Sequence, residues 1–214
     1  KMPEKFIVLD TETTIDFDTP LCYDLGFAVV DKAGKVYESH SFVIAEIFLD
    51  EELMASAYFI DKVQTYWKEI KKGQRKLVRF STARWTLIDT MKKYDIKIVM
   101  AHNARFDYRA VNCTQRMVAD PKWQYFFPFG TEIWDTLKMA REAFGKDEEY
   151  ATFCSEHQLQ TSNGKTSFTA ENIYRYLIND VTFEESHTGL EDVLIEKEIF
   201  AECVRRGITE GKLW

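Results

Sequence analysis

Cysteine is scarce in this chain of 214 residues, and the four present (Cys22, Cys113, Cys154 and Cys203) are far apart in sequence. None forms a Cys-x-x-Cys pair, so neither a zinc ribbon nor a disulfide framework is indicated, and reduced, partly buried thiols are expected. No apolar run approaches the length that crosses a bilayer, and the first residues lack the apolar core of a signal peptide. A cytoplasmic protein is the expectation. Internal repeats and low-complexity segments are missing too. Positive charge is in deficit: the net charge of −7 argues against a general attraction to nucleic acid.

What is present is enough apolar material for a sizeable core. At 45% hydrophobic residues, a single domain over residues 2–214 is expected, with Lys1 ahead of Met2 set aside as foreign to the native chain. The charge is uneven. Between Lys62 and Arg84 eight basic residues face one acid, Glu69, whereas between Glu184 and Glu202 seven acids face only Lys197.

The stretch Phe6-Ile7-Val8-Leu9-Asp10-Thr11-Glu12-Thr13-Thr14 organises the rest. Four large apolar residues without Gly or Pro suit a central strand covered on both faces. Asp10 and Glu12 lie at its exit. Two apart on a strand, they point to one side at a separation of roughly 6.6 Å. Such a pair suits a hard divalent cation, which takes oxygen ligands and often only one or two protein carboxylates.

After this strand, Ile15 to Leu21 is expected as a loop beside the acids. Leu25 to Val30 and Lys35 to Val43 read as a hairpin turning at Asp31 to Gly34. Phe48 to Tyr94 has helical character, broken at Gly73, with Ser81 a candidate cap and Trp85, Ile88 and Met91 candidate core positions. Ile96 to Ala101 is a further strand, ending in His102-Asn103-Ala104-Arg105-Phe106-Asp107 and a helix to Met117. Asp120-Pro121 and Phe127 to Gly130 mark loops, followed by a short strand into Ile133 to Thr136 and a helix from Leu137 to Phe144. Ser162 to Lys165 is a turn, and Thr169 opens a helix through Leu177. Thr188-x-x-Glu191 has the pattern of a capping box, which places His187 just outside the last helix and Asp192 in its first turn, with Leu190, Val193, Leu194, Ala201 and Val204 on its buried face.

Three separated places therefore offer acids: Asp10 with Glu12, Asp107, and Asp192 with His187. Strand exits and helix starts converge at the carboxyl edge of an α/β sheet. Four carboxylates meeting there repel unless cations neutralise them, and two divalent ions would do so. A histidine beside that site, with a reference pKa of about 6.5, can accept a proton from an attacking water.

These motifs, in this order, resemble the DnaQ-like, DEDDh 3′→5′ exonuclease family of the ribonuclease H superfamily. Val8 to Thr14 is similar to its first motif, His102 to Asp107 to its second and His187 to Asp192 to its third; the likeness covers nearly the whole chain, including Asp24 to Val43 and Trp134-Asp135-Thr136-Leu137. The tyrosine branch carries Tyr four residues before the last Asp, where this chain has Thr188, so the histidine branch is indicated. Phe153 to Asp192 is similar to the DexA type of phage exonuclease, which implies a bacterial or phage-infected host cell. The resemblance implies an α/β ribonuclease H-like fold, a mixed central sheet flanked by helices. It implies that Asp10, Glu12 and Asp192 bind one Mg2+ or Mn2+ ion, that Asp10 shares a second with Asp107, and that His187 is the general base. The activity implied is hydrolysis of single-stranded nucleic acid, DNA before RNA, to nucleoside 5′-monophosphates. Asn103 and Phe106 are candidates for gripping the terminal nucleotide, and Thr11 and Thr13 for lining the site through backbone groups. His102 is expected to be structural, and His40 and His157 to be surface or turn residues. Lys68 to Arg79 either follows the phosphate backbone or is a solvated helix face. Trp123, Tyr125, Phe126, Phe127 and Phe129 are expected in core or lid packing rather than base stacking. An RNA-trimming exoribonuclease and a catalytically idle nucleic-acid or partner-binding module are the rival functions.

Overall fold

In the computed structural model, which describes residues 2–16, 18–119 and 122–214, the first apolar run becomes strand β1 (Lys5–Thr13). It is covered on both faces as expected. Ile7 and Leu9 enter one core cluster, Phe6 and Val8 the other. Each such side chain removed from water contributes about 1.5–3 kcal/mol, so β1 is locked in register: a slip of one residue would exchange the two faces. The same alternation puts Asp10 and Glu12 on the face of Phe6 and Val8.

The hairpin forms as expected from β2 (Cys22–Asp31) and β3 (Val36–Ile44), antiparallel to each other, with β2 antiparallel to β1. Gly34 supplies the positive φ of 79° that the turn needs. Two short helices, α1 (Ala45–Phe48) and α2 (Glu51–Met54), a 3-10 turn (Ile60–Lys62) and α3 (Val63–Lys71) follow. Then comes β4 (Lys76–Val78), an edge strand parallel to β3 inside the stretch expected to be helical. Three residues among lysines and arginines give no period to read. β5 (Ile98–Ala101) and β6 (Glu132–Asp135) run parallel to β1 on its other side. The six-stranded order β4-β3-β2-β1-β5-β6 is thus mixed.

Helices α4 (Phe80–Lys93) and α5 (Ala104–Val118) cover one face; α6 (Thr136–Phe144), α7 (Glu148–Glu156), α8 (Ala170–Ile178) and α9 (Gly189–Arg205) cover the other. Helix α7 was absent from the sequence reading. Ser81 is not a cap: α4 has already begun at Phe80, with Arg79 at the cap position. Its buried stripe runs Phe80, Ala83, Leu87, Met91, so Trp85 falls off it and is 47% exposed, lying instead over the Arg84 guanidinium. Leu194 likewise lies on the solvent side of α9. The expected loop at Asp120-Pro121 lies outside the described residues. All four cysteines are buried and free. Of the aromatic cluster only Phe126 is fully in the core, packed on Phe80, whereas Trp123, Tyr125 and Phe129 are exposed. No helix among the described residues is long and apolar enough to cross a membrane.

Candidate active site

The acids converge because three elements end at one edge of the sheet. Asp10 and Glu12 leave β1 on the face that α9 covers. Asp107 comes from the first turn of α5, whose start is fixed by Asp135: that carboxylate accepts from the N–H groups of Asn103 (2.9 Å), Ala104 (3.4 Å) and Leu137 (3.0 Å), capping α5 and α6 together. Asn103 makes the turn at a left-handed φ of 68°. Thr11 ties Asp107 to β1, donating from its N–H (3.1 Å) and hydroxyl (2.8 Å) to Oδ1.

Asp192 is set by the seating of α9 on β2. Two glycines meet there: a Cβ on Gly26 would lie 2.2 Å from the Leu190 nitrogen, and one on Gly189 2.7 Å from the Gly26 nitrogen. Only backbone fits. Fully buried Asp24 accepts from the Gly189 N–H at 3.0 Å and from the Tyr66 hydroxyl, and Arg75 lies at 3.5 Å. Arg75 also binds Glu69 and, at 3.1 Å to each oxygen, Glu191. The capping box is therefore altered. Thr188 is the cap residue, but its hydroxyl meets Glu191 at 2.7 Å, and its own N–H donates to Asp192 Oδ2 at 3.2 Å. Arg75, 5% exposed, is not available to a phosphate backbone, which removes it from the basic stretch considered for that role.

These elements enclose a cleft of about 460 Å³ lined by Asp10, Thr11, Glu12, Asn103, Phe106, Asp107, His187 and Asp192. Thr13 is not among its lining: it is 5% exposed, lies past a register shift in β1, and its carbonyl accepts from the Tyr58 N–H. Nor does any described residue of the Ile15 to Leu21 loop line it; that loop closes instead on Thr14 and Ser56.

The electrostatics are those of crowded, dry acids. Burial, then the charges of Glu196, Asp107, Glu12 and Asp192, hold the Asp10 carboxyl well above the ordinary range. Burial, with Asp24 and Asp192 next, lifts Glu12 to about 9. Burial lifts Asp107 to about 7 against the opposing Thr11 hydrogen bonds, and Asp192 to about 7. Asp10 Oδ2 is shielded from solvent and has no hydrogen-bond partner. No lysine or arginine among the described residues forms an ion pair with Asp10, Glu12, Asp107 or Asp192. Glu12, His187 and Asp192 offer ligand atoms within 4.8 Å of one another.

His187 sits at a left-handed φ of 50° just before α9. Its ring stacks on Phe59, centroids 4.4 Å apart and planes 10° apart, and its Nδ1 lies 3.9 Å from Glu185. Lys62 bonds the neighbouring Ser186 carbonyl. Burial, then Lys62, hold the imidazole below its ordinary value. His102 differs: Nε2 donates to the Phe168 carbonyl at 2.7 Å and Nδ1 meets the Thr136 hydroxyl at 3.0 Å, so neither nitrogen is free for proton transfer.

The sequence reading missed Asp24, Arg75, Phe59, Lys62 and the buried Glu196. Only two gave a signal: Asp24 is an acid inside an apolar strand, and Glu196 falls one helical turn after Asp192.

No protein-family model matches the chain, and no curated relative does. Solved structures do. A full-length 3′-exonuclease is 12% identical with a TM-score of 0.61, the match covering 98% of this chain and 85% of that one. Exonuclease X in complex with 5′ overhanging duplex DNA is 15% identical with a TM-score of 0.51, covering 94% and 91%. Escherichia coli exonuclease I in complex with a dA16 oligonucleotide is 15% identical with a TM-score of 0.57, over 92% of this chain and 40% of that one. The fold is ribonuclease H-like. This chain spans less than half the length of exonuclease I, and what it shares with these enzymes at such identities is architecture.

Proposed function

We propose that the protein is a metal-dependent 3′→5′ exonuclease that hydrolyses single-stranded DNA to nucleoside 5′-monophosphates. The observation that carries this reading is the set of carboxylates that the fold brings to one cleft beside His187, none of them in an ion pair with a lysine or arginine among the described residues. Hard oxygen donors with one imidazole suit Mg2+ or Mn2+, and the orphaned Asp10 Oδ2 is an oxygen in need of such a partner. Asp10, Glu12 and Asp192 would hold one ion, and Asp10 with Asp107 the other. When bound, such ions would supply Lewis acidity for the attacking water and for the departing 3′ oxygen.

The chain's own residues do the rest. His187 accepts the water's proton on a ring nitrogen, and Phe59, stacked on its face, fixes the plane in which that nitrogen points. Asn103 and Phe106, both lining the cleft, grip the terminal nucleotide, the ring offering its face to a base. Helix α9, seated on β2 through the backbone contact of Gly189 with Gly26, and β1, paired with β2, hold the ligand oxygens still. DNA is placed before RNA because the solved relatives include complexes with DNA oligonucleotides.

The test is digestion of DNA and RNA oligomers of equal sequence, labelled at the 5′ end, with Mg2+ or Mn2+ and with chelator. Stepwise shortening from the 3′ end, silenced by chelator and absent in Asp10→Ala, is the expected result. Full activity in excess chelator, or wild-type rates in Asp10→Ala, would sink the reading.

A further inference from the structure

Helix α5 starts at the cleft, which Asn103, Phe106 and Asp107 line, and then runs away from it. Its solvent side is basic. At 3.6 residues a turn, Arg105, Arg109 and Arg116 fall within roughly 40° of one another, in a row that extends about 16 Å along the axis. All three are exposed. None forms an ion pair among the described residues, where Arg116 meets only the Cys113 sulfur, at 3.4 Å. The helix has one acid, Asp107, and that one is buried and turned to the cleft. In a chain of net charge −7, an uncompensated row of arginines is a local exception, suited to an anion.

Beside the row lies a groove of about 530 Å³, lined by Tyr108 and Asn112 of the same helix and by Tyr125, Phe127, Phe129 and Trp214. No acid lines it. Tyr108 and Asn112 stand within roughly 60° of Arg105 around the helix, so groove and row are neighbours. Tyr125 is 64% exposed and Phe129 wholly so, whereas Tyr108 is held by stacking on Phe127, centroids 6.0 Å apart and planes 10° apart. Large bare rings gathered in one groove mark a surface that a ligand covers. The arginines beside them say of what kind: one that carries both negative charge and flat apolar faces. A single nucleic-acid strand has both, phosphates along its backbone and bases that stack on aromatic side chains.

We infer that the arginine face of α5 and the aromatic groove beside it hold the strand upstream of the terminal nucleotide. Arg105 and Arg109 follow its phosphates, and Tyr125 and Phe129 stack on its bases. The inference rests on the exonuclease reading for its ligand and goes beyond it, since it assigns a second surface outside the acidic cleft.

The experiment compares wild type with two double variants, Arg105→Gln with Arg109→Gln and Tyr125→Ala with Phe129→Ala. Binding of an oligothymidylate of about 20 nucleotides, longer than such surfaces occupy, is followed by fluorescence anisotropy in chelator, and cleavage of a dinucleotide is followed with Mn2+. Loss of the two arginines should weaken binding of the long oligomer at least about 10-fold and flatten the slope of log affinity against log salt by about 1.4, the single-strand value for two phosphate contacts. Loss of the two rings should weaken it at least about fivefold and leave the salt slope as it was. The dinucleotide, which engages the cleft alone, should be cleaved at the wild-type rate by both variants. Their melting midpoints should not move, because all four replaced side chains are exposed. Wild-type affinity for the long oligomer in either variant overturns the inference and leaves that part of the surface to a protein partner. An equal loss on the dinucleotide overturns it too, by placing these residues in the cleft. Wild type that cleaves neither oligomer with Mn2+ overturns the exonuclease reading, a result that binding in chelator does not share, so the two failures are distinguishable.

Discussion

Two groups of acids lie on either side of the first turn of α9, one gathered on a buried arginine and one lining the cleft, and they are handled in opposite ways. On one side Asp24, Glu69 and Glu191 surround Arg75, and the protein supplies the cation itself. On the other, no lysine or arginine among the described residues forms an ion pair with Asp10, Glu12, Asp107, Asp192 or Glu196, and only the more distant charge of Lys62 acts on Glu12 and Asp192. Adjacent residues of one helix take part in each, since Glu191 turns to the arginine and Asp192 to the cleft. A fold that can neutralise buried carboxylates a few ångströms away, and does not do so in the cleft, has left a charge deficit for ions from solution. The first group fixes position; the second is the one to which the proposed chemistry is assigned.

Three perturbations sharpen that contrast. The largest effect belongs to the cleft: His187→Ala should lower turnover about 10² to 10⁴-fold, the usual contribution of a positioned proton acceptor, and leave the melting midpoint nearly unchanged. Wild-type activity at saturating metal should fall with pH below the ordinary histidine value, because the imidazole is held below it. A variant that kept both the rate and the acidic limb would exclude His187 as the base.

The other group should behave in reverse. Arg75→Met strands Asp24 as an unpaired buried charge, which costs about 3–5 kcal/mol of stability and should appear as a lower denaturation midpoint in urea. Mn2+ should not restore it, whereas it should stabilise wild type. Restoration by the ion would mean that the two groups are one electrostatic unit.

The smallest effect is the pH dependence of the metal-free fold. Glu12 is lifted to about 9, and Asp10 and Glu196 also stand above the ordinary range, so the native state holds more protons than the unfolded one. Stability from these groups is complete below the unfolded carboxyl value of about 4 and is lost as pH rises through their folded values. Between pH 7 and 9, above the histidine range, Glu12 lowers stability by up to about 1.4 kcal/mol per pH unit, and Asp10 and Glu196 act in the same direction. Melts in chelator should therefore fall over that window, and saturating Mg2+ should flatten the slope. A flat profile in chelator would show the five acids to be less crowded than their burial implies.

The central strand, the hairpin, β5 with its following helix, and α8 were all legible in sequence, because each depends on local periodicity and turn chemistry. So were the separate places that bring Asp10, Glu12, Asp107, His187 and Asp192 to the cleft, since each sits where an apolar run meets polar residues. What was not legible depends on contacts distant along the chain. Asp24 meets Gly189 across 165 positions and Arg75 meets Glu191 across 116, and no local pattern announces either pair. Thr13 was placed in the site with Thr11, but it lies past the register shift that follows Glu12, and its carbonyl is taken by the Tyr58 N–H, far along the chain. Trp85 and Leu194 failed on helices, where one residue off the stripe is enough to reach solvent.

The meeting of Gly26 with Gly189 divides the cleft into a stationary and a movable half. At that point two backbones touch with no side chain between them, so α9 cannot slide or tilt against β2 without collision. Asp192 and Glu196 inherit that fixity. Any widening of the cleft to admit or release a nucleotide must take place on the far side of Gly189, in the segment that carries Glu185, Ser186 and His187, held by the stacking of Phe59 and the bond from Lys62. On the proposed reading, the proton acceptor is thus mounted outside the clamped contact, together with Glu185, while Asp192 and Glu196 sit within it, and arrival of the histidine would be the event that completes the site.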